Sequence, residues 1–326
     1  SVNCVCGSVY QKLKDLNILK KTHRGVTAGR NHFKNIQVRV THRPDARTNW
    51  SESRNVNNLI HVHTTPQLPN PNSNSLCANM CCLNVRSANN KAQGIADMID
   101  ERNIDVMALT ETWLSEHSSV GLMTPPGFKC HHVPRPGNKR GGGVAVLHRA
   151  SFGMKLLKIP SSGDGITQFE HLEFSLSYER HTITMAIVYR PPHNPKNEFF
   201  EELTTYLEEI IKSQDPIVIT GDVNIHLDNP ALNDAVKFIS ILDAFGLKQH
   251  IHEPTHQKGH TLDVLITREI DEIFAALPTV FDPGLFNDSG DSACDHYGIA
   301  FETRLIKPPQ NSQRSVFPQA EPNQSG

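Results

Sequence analysis

The chain has 326 residues and a formal charge of −2, from 32 Lys and Arg against 34 Asp and Glu. That near-neutral sum argues against a nucleic-acid partner, but it averages unlike pieces. Residues 1–75 hold 11 basic against 3 acidic residues, residues 76–305 hold 19 against 30, and the remainder holds 2 against 1. No apolar run approaches the ~18 residues that span a bilayer, and no apolar core of a signal peptide opens the chain, so the expected protein is intracellular and makes no membrane contact.

Residues 1–75 read as a basic, disordered arm. Their apolar residues have no period, and the closing PQLPNPNSNS cannot bury enough surface to offset chain entropy. A short helix over Val9–Leu19 is the one element expected there. The chain starts at Ser, as expected of a fragment. The seven cysteines are odd in number and irregularly spaced, which fits a reducing compartment rather than a disulfide framework. Cys77, Cys81 and Cys82 read as small apolar residues of a buried strand in preference to a metal site.

From Leu76 the pattern changes. LCANMCCLNV is a strand-length apolar run, followed by a helix carrying Ile95, Met98 and Ile99, with Asn89 or Asn90 as its cap. IDVMALTET is a strand buried on both faces. A Pro/Gly-rich loop leads to GGGVAVLHR, then to the strands HLEFSLS and TITMAIVYR. Lys196–Lys212 is an amphipathic helix with Phe199, Leu203, Tyr206, Leu207 and Ile210 on one side. PIVITGDVN is a strand ending in a polar elbow. A helix over Asn233–Phe245 presents Val236, Ile239 and Leu242, and TLDVLIT and YGIAFETRL are late strands. This order predicts an α/β protein, a two-sheet α/β sandwich with outer helices over 76–305, and a disordered tail over 306–326.

Polar residues interrupt the apolar strands at particular places. Asn84 ends the first strand, Glu111 the second and Tyr189 a third. Asp222 and Asn224 end PIVITGDVN with His226 two residues on, Asp263 sits in TLDVLIT, and Asp295 and His296 begin DHYGIAF. Carboxylates are rarely buried without a compensating partner. If the strand ends share one rim, oxygen donors without paired cysteines suit a hard cation such as Mg2+, and a His–Asp pair suits phosphate-ester chemistry. Singly, each residue reads more simply: a solvated strand terminus for Glu111, an Asx-turn for Asp222-x-Asn224. Their joint occurrence in one order changes the balance.

LNVRS, LTETWL, RGGGVAVL, IVYRPP, ITGDVNIH, PTHQKGHTLDVLIT and ACDHYGI together resemble the endonuclease/exonuclease/phosphatase superfamily. More narrowly, they resemble the apurinic/apyrimidinic-type endonuclease domain of non-LTR (LINE-type) retrotransposons. The resemblance covers 76–305 and implies a deoxyribonuclease-I-like fold. It implies Glu111 as main metal ligand with Asn84 close by, and Asp295 as a second ligand or a support for His296. Asp222 would orient or deprotonate the attacking water, helped by Asn224. His296, held by Asp263, would contact the scissile phosphate, and Tyr189 the phosphate or leaving group. The implied cofactor is Mg2+, with Mn2+ able to substitute. The implied partner is DNA, with no obligate protein partner, and the implied location is the nucleus.

Arg86, Lys139, Arg140, Arg190 and His226 are the candidate DNA contacts. Arg140-Gly-Gly-Gly lacks the GK[ST] ending of a P-loop and reads as a tight turn into a strand. Cys294 stands where relatives often have Ser, a weaker donor toward the rim, and Leu83 where they often have Trp. No reverse-transcriptase signature follows, so the polymerase part of such an element is expected to be missing. Within HIHEPTHQKGH, a plain loop is favoured over phosphate contact and over zinc. The rival functions are a phosphatase acting on a small phosphoester and a catalytically inert DNA-binding remnant.

Overall fold

The computed structural model describes residues 77–138, 141–158, 166–286 and 292–306, with Cys4–Val5 and Arg39–Val40 of the N-terminal segment. The chain divides into two units, Ser1–Ser73 and Asn74–Gly326. In the first, β1 (Cys4–Val5) pairs in parallel with β2 (Arg39–Val40). The Val9–Leu19 helix, the rest of the arm and the tail beyond 306 lie outside the described residues.

The second unit stacks two six-stranded sheets. The first sheet contains β3 (Cys77–Asn84), β4 (Val106–Thr110), β5 (Phe128–Val133), β6 (Val144–Arg149), β13 (Thr279–Phe281) and β14 (Gly298–Ile306), ordered β13-β14-β3-β4-β6-β5. The second contains β7 (Gly153–Lys158), β8 (Glu170–Tyr178), β9 (His181–Tyr189), β10 (Ile217–Asp222), β11 (Leu247–Gln249) and β12 (Asp263–Arg268), ordered β11-β12-β10-β9-β8-β7. Three α-helices, α1 (Ala92–Glu101), α2 (Lys196–Ile210) and α3 (Asn233–Ala244), join them among the described residues. The strands β5 and β7 were not expected from sequence; FKCHHV and GMKLLK carry too many polar residues to stand out from the loops around them.

Strand periodicity explains the layering. Successive side chains point to opposite faces, so a strand between the other sheet and a helix must be apolar at every position. On β3, Ala78, Met80 and Cys82 enter the core between the sheets, while Cys81 and Leu83 face the α1 side. On β9, Ile183, Met185, Ile187 and Tyr189 enter that same core, while Ala186 and Val188 meet α2. Cys81 and Cys82 are buried within β3, whereas Cys77 at its start is half-buried. The helix α2 buries Phe199, Phe200, Leu203, Tyr206, Leu207 and Ile210, each contributing about 1.5–3 kcal/mol on leaving water.

Two local expectations are corrected. The helix α3 buries Ala235, Phe238 and Leu242, whereas Val236 is 52% and Ile239 37% exposed. Apolar residues of NDAVKFISILDA fall on more than one face, and the bulky Phe238 ring belongs to the stripe that meets the sheet. The cap of α1 is Lys91, with no side-chain cap bond, in place of Asn89 or Asn90. Its buried ammonium instead donates to the carbonyls of Val85, Arg86 and Ser87 at 2.8, 2.7 and 2.9 Å.

Candidate active site

Strand register aligns the polar ends. Asp222 on β10 pairs with Tyr189 on β9 and with Asp263 on β12, and Tyr189 pairs with Glu170 on β8. Four neighbouring strands thus place Glu170, Tyr189, Asp222 and Asp263 in one row. Gly221 permits this alignment: its φ is +138°, and a Cβ there would overlap the Val188 carbonyl of β9. From the first sheet, Asn84 ends β3, and Glu111 follows β4.

The two sheets meet at Asn84. Its Nδ2 donates to Asp222 Oδ2 at 2.8 Å and to Glu111 Oε1 at 3.3 Å. Glu111 Oε1 also accepts the Tyr189 hydroxyl at 2.8 Å, and Oε2 accepts Trp113 Nε1 at 3.4 Å. Asp222 Oδ1 accepts the Asn224 backbone N–H at 2.9 Å, and Oδ2 its side-chain amide at 3.1 Å. Across the row, His296 Nδ1 lies 2.7 Å from Asp263 Oδ2, with Nε2 3.9 Å from Asp222 Oδ2. Thr255 Oγ1 accepts the backbone N–H groups of Leu262 and Asp263 at 2.9 and 3.0 Å, fixing the entry to β12.

The loops that carry this geometry are strained. Eight described non-glycine residues have positive φ, and five of them, Arg86, Ser87, Glu111, Trp113 and Asn224, belong to this site. Such conformations cost on the order of 1–3 kcal/mol each and persist where the surroundings over-determine them. Here the loops are zipped together: Ser87 N–H donates to Glu111 O at 2.7 Å, and Trp113 N–H to Gly142 O at 2.8 Å. Gly141, Gly142 and Gly143 all have positive φ, which makes the tight turn expected of them.

Electrostatics separate the acids. Burial, reinforced by the Asp263 charge, raises Asp222 well above the ordinary carboxylate range. Burial works to lower the pKa of His296, but the Asp263 carboxylate outweighs it and carries the imidazole to about 10. Burial and Glu111 raise the Tyr189 phenol, which stays protonated.

Acceptor capacity exceeds the donors the protein supplies. Asp263 Oδ1 is buried and has no hydrogen-bond partner among the described residues, and Glu111 Oε2 has only the long Trp113 contact. An excess of oxygen acceptors with no thiolate among them fits a divalent cation of the hard class. Asp222, Asp263 and His296 form one group able to hold a metal, and His256, Asp295 and His296 another.

Other expected residues are placed differently. Asp295 pairs with Arg86 at 3.0 Å, and its Oδ2 lies 3.8 Å from His256 Nε2; it groups with the histidines and not with Glu111. Arg190 is corrected as a DNA contact. It is 1% exposed and donates to the carbonyls of Val223, Asn224 and Asn194 at 3.2, 3.3 and 2.7 Å, so its guanidinium ties the Asp222 elbow to the chain before α2. His226 faces Asp228 and His260. Lys139 and Arg140 lie outside the described residues. Sequence reasoning missed Trp113, Thr255 and Glu170. Trp113 and Thr255 lay inside quoted motifs, LTETWL and PTHQKGH, whereas Glu170 joins the row only through strand pairing. Cys294 is buried and donates to the Asn84 and His296 carbonyls at 3.0 and 3.4 Å, bonding to the rim despite its weaker donor. A cleft of about 590 Å3 beside Glu111 is lined by Arg86, Lys91, Trp113, Arg135 and Gly141 among others.

Two stacked mixed sheets with a carboxylate, amide and imidazole cluster across their facing ends define a deoxyribonuclease-I-like hydrolase architecture. The profile of the Endonuclease/Exonuclease/phosphatase family matches residues 81–286, and the chain belongs to that family of generally divalent-metal-dependent phosphodiester hydrolases. No curated protein matches it. Among solved structures, the endonuclease domain of TRAS1, a telomere-specific non-LTR retrotransposon, is similar at 14% identity and TM-score 0.54, covering 71% of this chain and 100% of that one. The AP endonuclease LMAP from Leishmania major is similar at 13% identity and TM-score 0.53, covering 71% and 88%. The 3′ phosphatase NExo from Neisseria, bound to product DNA hairpin, is similar at 16% identity and TM-score 0.50, covering 69% and 99%. At these identities the likeness is one of fold.

Proposed function

We propose that residues 76–305 form a metal-dependent DNA endonuclease that hydrolyses one strand's phosphodiester and leaves a 3′-hydroxyl, as in target-site cleavage by a non-LTR retrotransposon. The observation that carries this reading is the junction at Asn84, which bonds Glu111 of one sheet and Asp222 of the other beside the Asp263–His296 pair.

In this reading Asp222 takes a proton from the attacking water. The His296 cation beside it works to lower that raised pKa and so favours the ionised base, and Asn224 fixes its orientation. His296, cationic at neutral pH, faces the scissile phosphate, and Asp263 holds the ring through Nδ1. Tyr189 remains a donor toward the phosphate or the leaving oxygen. Glu111 and Asn84 would hold Mg2+, or Mn2+ in its place, with Asp295 beside His296 as its support; when bound, the cation would supply neutralising charge at the phosphoryl oxygens. Arg86, Lys139 and Arg140 bind the DNA backbone, and the basic arm of residues 1–75 adds sequence-independent attraction. Such work on target DNA belongs in the nucleus.

The test is nicking of supercoiled plasmid by the purified chain with Mg2+ or Mn2+ present. Asp222→Asn and His296→Ala should each slow nicking by on the order of 10² or more. Equal rates for wild type and both variants would sink the assignment. Release of phosphate from small phosphoesters without nicking would identify a phosphatase, and silence in both assays an inert remnant.

A further inference from the structure

Past the catalytic row, the β10–β12 pairing continues into two loops. Val223 N–H donates to Leu262 O at 3.1 Å, and Leu227 N–H to Thr261 O at 3.0 Å. This extension brings His226 and Asp228, which follow Asp222, against His260, which precedes Asp263. Asp228 Oδ2 lies 3.2 Å from His260 Nδ1, and Oδ1 lies 4.0 Å from His226 Nδ1. All three offer a ligand atom within 4.8 Å of the others. The two imidazoles stand nearly perpendicular, at 81° with centroids 4.2 Å apart.

We propose that His226, Asp228 and His260 form a second metal site, separate from the catalytic centre, that takes a borderline transition ion such as Zn2+. Three arguments support it. First, the donor set is two imidazoles and one carboxylate, which suits Zn2+, Co2+ or Ni2+ and not the oxygen-seeking Mg2+. Second, bonds of about 2.0–2.1 Å in a tetrahedron put ligand atoms about 3.3 Å apart; His260 Nδ1 already stands 3.2 Å from Asp228 Oδ2, and one ligand atom from each residue lies within 4.8 Å of the others. Third, the carboxylate is already oriented, because the Thr261 backbone N–H donates to Oδ1 at 3.0 Å. The side chains of His226, Asp228 and His260 are 44%, 27% and 36% exposed, so an ion can enter and water can fill the remaining position.

The histidines of HIHEPTHQKGH do not converge on one another. His250 Nε2 lies 2.8 Å from Thr267 Oγ1, His256 packs edge-on to His296 at 4.8 Å, and only His260 reaches the new cluster. Its partners come from the GDVNIHLD turn. An ion there would pin together the two loops that leave Asp222 and enter Asp263.

The experiment is a Co2+ titration of the full chain without DNA, followed by visible absorption, with Zn2+ and excess Mg2+ as competitors. One equivalent should give tetrahedral-type bands that Zn2+ displaces and Mg2+ does not. His226→Gln, Asp228→Asn and His260→Gln should each weaken binding on the order of tenfold or more, since even outer-shell partners are worth 10–100-fold. Circular dichroism of these surface variants checks that they fold. Glu111→Gln and His256→Gln should keep the bands, which separates this site from the Glu111 cation site and from the His256–Asp295–His296 group. Bands that survive His260→Gln, vanish in Glu111→Gln or His256→Gln, or yield to Mg2+ would overturn the proposal. Because the assay involves no hydrolysis, its failure leaves the nuclease reading untouched, and the reverse holds as well.

Discussion

The two sheets contribute to one site in different ways. The second sheet supplies Tyr189, Asp222 and Asp263 from the ends of hydrogen-bonded strands, in register and nearly fully buried. The first supplies Asn84 from a strand end but Glu111, Trp113 and Arg86 from loops held at positive φ. Strand-built groups are fixed by the sheet itself, and their oxygens, Asp263 Oδ1 excepted, are occupied by protein donors. Loop-built groups are fixed by cross-loop bonds and retain open acceptor capacity. The difference teaches where precision is needed before substrate arrives and where the site is to be completed by a cation and a phosphate.

The largest effects should divide along that line. Asp222→Asn should cost about 10² or more in nicking at every Mg2+ concentration, with the melting temperature unchanged or raised, because a desolvated carboxylate is lost. Glu111→Gln should also lower nicking, but raising Mg2+ should recover part of the loss. Recovery of both variants, or of neither, would erase the distinction. Next in size is the helix that backs the second sheet. Phe238→Ala should destabilise the domain by about 3–5 kcal/mol, and Val236→Ala by no more than about 0.5 kcal/mol, read by urea denaturation. Comparable losses would mean that the other face of α3 meets the sheet.

A pH effect should belong to the first sheet. His131 and His148 stack at 5.6 Å on β5 and β6, and burial lowers the pKa of both below the ordinary 6.5. The unfolded chain then binds protons that the folded one refuses, so this stability is complete above pH 6.5 and is lost as pH falls below it. Replacing His148 with Gln should flatten the acid limb of melting temperature against pH. An unaltered limb would assign the acid sensitivity to other groups. The smallest effect is expected at Cys294, where Ser keeps a donor to the Asn84 carbonyl. Cys294→Ser should change stability by about 1 kcal/mol or less; a larger loss would show that the sulfur's volume, and not its bond, holds the rim.

The strands with continuous apolar runs were readable because burial on both faces leaves no polar position to confuse the period. That is also why Asn84, Glu111, Asp222 and Asp263 stood out. What sequence could not give is partnership. Nothing in TITMAIVYR says that Tyr189 will lie beside Asp222, or that Glu170 joins the row, because pairing between distant strands leaves no local mark. Arg190 illustrates the opposite failure: a cation after a strand reads as solvated, yet two carbonyls of the Asp222 elbow and that of Asn194 capture it. The loop histidines likewise appear as one run in the chain and scatter to three places in the fold.

The Cys294–Asn84 bond spans 210 positions of the chain. It joins the first strand of the catalytic unit to the segment just before its last. His296 follows two residues later, so every earlier part of the site waits on a piece that leaves the ribosome near the end of the domain's synthesis. At about 5–20 residues per second, the unit spends about 4–15 seconds as a nascent chain holding Glu111 and Asp222 without their imidazole. A site assembled in this order stays incomplete until the last described strand, β14, closes the sheet.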